Sequence, residues 1–234
     1  MKKFLALMMV VSMGVAACGD GNGGGGGGGG GGGSTIDDTV AEEQASSLAS
    51  QASNSFANLV ETPNDDKAIA DLFTVYANAL GVASAGNQTV AIGGEQGTQE
   101  AAPVDSNVVN CVSTSGGTTT WDNCNFSGYT LDGTITVSGD QLDIDLSIVF
   151  SAVTITFQGS LTVTPTLIDG TFSVNSTVQS VGFAIDVTFD VVELSAGCPV
   201  GGSIIVDPSL STGQIRSVQA DFGPACGDVT LTER

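Results

Sequence analysis

The chain contains no histidine. That absence removes Ser-His-acid and Cys-His nucleophile arrangements, the usual zinc sites and the commonest general base. A Ser-Lys nucleophile would have to use Lys67, which the pattern places in the first turn of a surface helix. Carboxylates remain. Asp143 and Asp145 alternate onto the polar face of one expected strand and Asp186 and Asp190 onto that of another, while hairpin register sets Asp169 opposite Asp190. Two carboxylates can serve as acid and base, and a carboxylate cluster can take calcium, a hard cation that prefers oxygen. The same residues also make a solvated charged face that discourages edge-to-edge aggregation. Neither an EF-hand loop nor a glycine-aspartate nonapeptide repeat accompanies them. The expectation is therefore no catalytic residue, no cofactor and no metal site. Calcium at Asp169 and Asp190 stays open, and a carboxylate-based or metal-assisted hydrolase is the residual enzymatic option.

The cysteines carry a different chemistry. With Cys18 set aside, Cys111, Cys124, Cys198 and Cys226 form an even set, which in an oxidising compartment means two disulfides and three connectivities to choose from. Cys111 and Cys124 flank the turn S-T-S-G-G-T. Cys198 and Cys226 flank a hairpin in which Val206 would meet Val218, Ile204 Ala220 and Gly202 Phe222, a register that also sets Cys198 opposite Cys226. Hairpin geometry thus favours Cys111 with Cys124 and Cys198 with Cys226. No two cysteines are spaced as CxxC, so a redox or zinc motif has no support. Trp121 is expected to cover the first disulfide hairpin, and Tyr76 falls on a helical stripe and reads as core.

The elements that must position these residues centre on Tyr129 to Leu194, where long alternating segments read as an antiparallel meander. Four phrases share one pattern, L-D-G-T-I-T-V from Leu131, F-Q-G-S-L-T-V from Phe157, I-D-G-T-F-S-V from Ile168 and V-G-G-S-I-I-V from Val200. Strand alternation puts each phrase's glycine on the face of its apolar residues, so each strand carries a core-side notch. Register follows from pairing apolar with apolar across each turn. Phe150 meets Val153, Ile148 Ile155, Leu146 Phe157 and Leu142 Leu161; Val163 meets Ile168; Val178 meets Val181 and Val174 Ile185. In two hairpins a glycine faces a phenylalanine, Gly159 with Phe172 and Gly170 with Phe189, the arrangement in which a ring covers a glycine that lets the sheet bend.

Ahead of the meander the period becomes helical. Thr39 and Glu42 fit a capping box, and Ala41, Ala45, Leu48, Ala52, Phe56 and Leu59 recur at gaps of three and four. Pro63 and Asn64 break the chain, Asp65 and Asp66 suit a second helix start, and Ile69, Leu72, Phe73, Tyr76 and Leu80 form its stripe, with Gly81 as a natural stop. The expected organisation is a leader at 1–17, a tether at 18–36 that includes eleven consecutive glycines, two helices over 37–81, a flexible loop at 82–106 and a β-domain over 107–234. Helices and sheet are expected to form one globular domain.

At the N-terminus Lys2 and Lys3 precede a short apolar run that closes on V-A-A-C at Cys18, the layout of a secretory signal peptide. This tetrapeptide resembles the lipobox of bacterial lipoproteins, over residues 1–18 only. The resemblance implies that Cys18 becomes the lipidated mature N-terminus, with acyl chains that anchor the protein to the membrane. Gly19, where an aspartate would signal inner-membrane retention, implies the outer membrane. Beyond the leader, 25 acidic residues face only Lys67, Arg216 and Arg234, so nucleic acid and anionic headgroups are disfavoured partners.

The fold expected is α+β: a curved antiparallel sheet, a meander shaped like a half-barrel, with two N-terminal helices packed on its apolar face. In outline it is similar to the half-barrel carriers that move lipids or lipoproteins across bacterial envelopes, and that resemblance is one of architecture. Two functions are compatible with it. One is a non-enzymatic structural or interaction lipoprotein with an envelope protein as partner; the other is a carrier or binder of a lipid or other apolar ligand.

Overall fold

A computed structural model describes residues 35–36, 39–85, 111–126, 128–178, 181–210, 213–214 and 216–234. The leader, Cys18, the polyglycine run and residues 86–110 lie outside the described residues. Two helices, α1 (Thr39–Glu61) and α2 (Asp66–Ala85), precede the meander. The long strands are β3 (Thr118–Phe126), β4 (Tyr129–Ser138), β5 (Gln141–Phe150), β6 (Val153–Thr164), β7 (Leu167–Val178), β8 (Val181–Ser195) and β9 (Cys198–Leu210). Shorter ones are β1 (Thr35–Ile36), β2 (Val112–Ser115), β10 (Gly213–Gln214), β11 (Val218–Phe222) and β12 (Val229–Glu233). All twelve join one curved antiparallel sheet in the order β1-β12-β11-β9-β8-β7-β6-β5-β4-β3-β2, with β10 paired to β9, and the sheet does not close into a barrel.

Among the described residues the sheet's two edges are β1 and β2, of two and four residues, too short to template another chain effectively. Residues 35–36 therefore belong to the sheet and not to the tether. At the other end of the helical segment, α2 runs through Gly81 to Ala85, so residues 82–85 are helix and not loop. Gly81 sits where the helices approach, since a Cβ there would lie 2.5 Å from the side chain of Gln44. The absent side chain opens room for α1 and does not end the helix, which continues past it to Ala85. Asp65 caps the start of α2, its Oδ1 accepting from the Lys67 N–H at 3.0 Å. Neither helix is long and apolar enough to cross a membrane.

The apolar pairing rule recovers the hairpins. Phe150 opposes Val153, Leu142 opposes Leu161, Gly159 opposes Phe172, Val174 opposes Ile185 and Gly170 opposes Phe189. A further aromatic-glycine pair, Trp121 with Gly133, joins β3 to β4. The helices cover this face and share one core with it. Phe56 of α1 meets Phe172 and Phe189 edge-on at 5.4 and 6.0 Å, and Phe73 of α2 meets Phe157 at 5.0 Å. Phe150 and Tyr129 extend the contacts outward, so eight rings run unbroken from half-buried Phe126 to buried Phe189.

Two of the repeated phrases build the same irregularity. Opposite Asp132-Gly133 the strand β3 carries an extra residue, and Asn123, with φ of 48°, gives its N–H to Asp132 Oδ1 at 3.1 Å. Opposite Asp169-Gly170 the strand β8 does likewise, and Val191, also with φ of 48°, gives its N–H to Asp169 Oδ1 at 3.1 Å. In each phrase the glycine takes a positive φ, 127° at Gly133 and 121° at Gly170. A Cβ there would fall 2.0 or 2.3 Å from a carbonyl oxygen of the neighbouring strand, Asp145 on β5 or Ser160 on β6. Only glycine fits. The fourth phrase differs: the β9–β11 ladder ends at Ser203 opposite Asp221, one step short of Gly202 and Phe222. Gly202 instead makes room for the bulge, since its Cβ would meet the Val191 carbonyl at 2.1 Å.

Candidate functional site

Both favoured disulfides form, Cys111 with Cys124 at a Cα separation of 5.3 Å and Cys198 with Cys226 at 5.6 Å. The first straddles the β3 bulge, and Trp121 beside it is buried between Val112 and Gly133 in the ladder. Cys18 lies outside the described residues.

The carboxylates sort by their partners. Asp169 stands opposite Asp190 and Val191 together, because the bulge sets two residues against one, and one of its oxygens is committed to the Val191 N–H. No group of three or more acidic or cysteine side chains able to hold a metal ion occurs among the described residues. Asp143 accepts from the Ser160 hydroxyl at 2.7 Å and Asp145 from the Gln158 amide at 3.2 Å, both across the β5–β6 pair. Asp186 accepts from Ser173 across the β7–β8 pair. Neutral donors do this work because no Lys or Arg occurs between Lys67 and Arg216. Lys67 itself is exposed and bonded to Asp71 at 2.8 Å, a contact that raises its pKa.

One carboxylate pair escaped the sequence reading, Asp186 opposite Asp207 on β9. The signal was present in the chain: the two-residue turn Ala196-Gly197 sets Ser195 against Cys198, and counting back equally along both strands reaches this pair.

Buried polar chemistry is scarce. Among the described residues the buried polar positions are the small hydroxyl residues Ser53, Ser55, Thr119, Ser176 and Ser203, and within the otherwise apolar core only Trp121 and Tyr76 carry a polar N–H or O–H. Tyr76 is 1% exposed, and its hydroxyl has no hydrogen-bond partner among the described residues. Leaving such a group unmatched costs about 1–3 kcal/mol, and a phenylalanine would avoid the cost at nearly the same volume. Burial pushes its phenol up to about 12, so the group stays a neutral O–H donor. The helical stripe foretold its burial but not its missing partner. The chain matches no protein-family model, no curated protein and no solved structure.

Proposed function

We propose that the chain is an outer-membrane lipoprotein, anchored by acyl chains on Cys18 and held off the bilayer by its glycine run. Its folded domain acts through non-covalent contacts, structural or with an envelope protein, and not through catalysis. The observation that supports this reading is the occupied interior, where Phe56 and Phe73 from the helices fill the space over Phe157, Phe172 and Phe189. Facing outward is a sheet of hydroxyls, amides and hydrogen-bonded carboxylates without a cation between Lys67 and Arg216. Such a face suits a partner that brings its own positive charge.

Two measurements test the reading. A Cys18→Ser variant should leave the membrane fraction and lose palmitate labelling; a variant still anchored and labelled would sink the anchor. A photo-crosslinking residue at exposed Thr171 should give one discrete adduct in intact cells that weakens when Asp143, Asp145 and Asp186 become asparagine. A face that yields no adduct from Thr171 or from Asp145 would count against an interaction role.

A carrier of an apolar ligand is the second reading. It is favoured by one observation, the buried and unmatched hydroxyl of Tyr76.

A further inference from the structure

We propose that the Cys198–Cys226 disulfide is a redox-sensitive latch, open to exchange with a dithiol, and that its reduction releases the loop between β11 and β12. The two bridges of the chain are set in different surroundings. Cys124 is buried beside Trp121, and its partner Cys111 adjoins an intact ladder, with Val112 opposite Trp121 and the Cys111 carbonyl accepting from the Asp122 N–H at 2.9 Å. Reduction there would leave the strands paired. Cys226 instead lies in the β11–β12 loop, which is exposed from Pro224 to Asp228, and its partner Cys198 is half-buried at the first position of β9.

Exposure decides which sulfur an incoming thiolate reaches, and that sulfur is Cys226 Sγ. As the new bond forms, the bond to Cys198 breaks and its electron pair leaves on the Cys198 sulfur, which takes up a proton. The reductant's second thiol then attacks its own sulfur in the mixed disulfide and frees Cys226. The protein gains two electrons and the dithiol becomes a disulfide. Little else ties the loop to β9. The β9–β11 ladder stops at Ser203 opposite Asp221, so Cys198 to Gly202 have no strand partner on that side among the described residues, and the bridge is the covalent tie across the gap. Two backbone bonds, Gly223 N–H to the Asp228 carbonyl at 2.8 Å and Asp228 N–H to the Ala225 carbonyl at 3.0 Å, are internal to the loop. The hairpin behind it stays in place, because β11 and β12 pair from Val218 to Phe222 and bury Val218, Ala220 and Leu231. Reduction thus loosens one corner of the sheet and bares the β9 edge from Val200 to Gly202, a short edge that an extended segment can pair with.

The test uses the full-length exported protein carrying Cys18→Ser, which leaves only the four bridged cysteines. Folded and urea-unfolded samples are treated with dithiothreitol, quenched at intervals with iodoacetamide and mapped by mass spectrometry. We expect Cys198–Cys226 to be reduced at least about 10-fold faster than Cys111–Cys124 in the folded protein, and the two rates to fall within about 2-fold in urea, where burial no longer separates them. Equal rates in the folded protein, or a preference that persists in urea, would overturn the exchange site. Hydrogen exchange of the singly reduced protein reads the latch: the Gly223 and Asp228 amides should exchange at least about 10-fold faster than in the oxidised protein, while β5 to β7 keep their protection. A Cys198→Ser, Cys226→Ser double variant should show that pattern without reductant, and a Cys111→Ser, Cys124→Ser variant should not. Unchanged exchange at Gly223 and Asp228 would overturn the latch. Protection lost throughout the sheet would overturn it too, by showing that the bridge stabilises the whole fold and not one corner.

Discussion

The two faces of strands β5 to β8 share one backbone and obey different physics. On the inner face Leu146, Phe157, Val174 and Ile185 stand in one row across four strands, buried and held by volume. One residue away on the outer face, Asp145, Gln158, Ser173 and Asp186 form the parallel row, linked by side-chain hydrogen bonds in water. A substitution should therefore be costly or nearly silent according to which way its Cβ points.

The largest effect is expected at Phe56, whose ring lies against Phe172 and Phe189. Phe56→Ala should cost about 3–5 kcal/mol in urea unfolding, through lost burial and the cavity left behind. A loss below about 1 kcal/mol would mean that the helix layer is not what fills the inner face. Next comes Gly170, where both faces meet at a backbone position with φ of 121°. Gly170→Ala should cost about 2–3 kcal/mol, since the methyl group would meet the Ser160 carbonyl and strain the bulge. The smallest effect belongs to Asp186→Asn. Its amide oxygen can still accept from Ser173, and repulsion of Asp207 is removed, so unfolding should shift by no more than about 0.5 kcal/mol, toward stability. A loss above about 1 kcal/mol would show that the outer face contributes to the fold as more than a solvated surface.

The inner face was legible because a strand's period is two and a slip by one residue inverts it, so Val163 with Ile168 or Leu142 with Leu161 could be paired from residue types alone. The same rule is blind to an inserted residue. Val191 is an exposed β-branched residue in the left-handed region, and nothing in V-V-E-L marks it as the bulge that diverts Asp169 to its N–H. Gly81 misled as a helix stop because glycine serves both chain reversal and close helix approach, and here the neighbour Gln44 uses the space. At Tyr76 the limit is of another kind. Period and burial are the same for tyrosine and phenylalanine, and a hydroxyl's partner comes from elements distant in sequence or from outside the chain.

The pairing of β1 with β12 carries a consequence for the order in which the molecule can be completed. Thr35 lies opposite Thr232, so the first described strand waits for the last. Synthesis delivers α1 and α2 before any of the strands that cover them. Beyond what the two helices bury against each other, their apolar stripes stay exposed until β5 to β9 have been made, whereas each successive hairpin of the meander can close on its predecessor at once. The slow step of folding should thus be the docking of an already finished sheet onto early helices, with a two-residue N-terminal strand as the final latch.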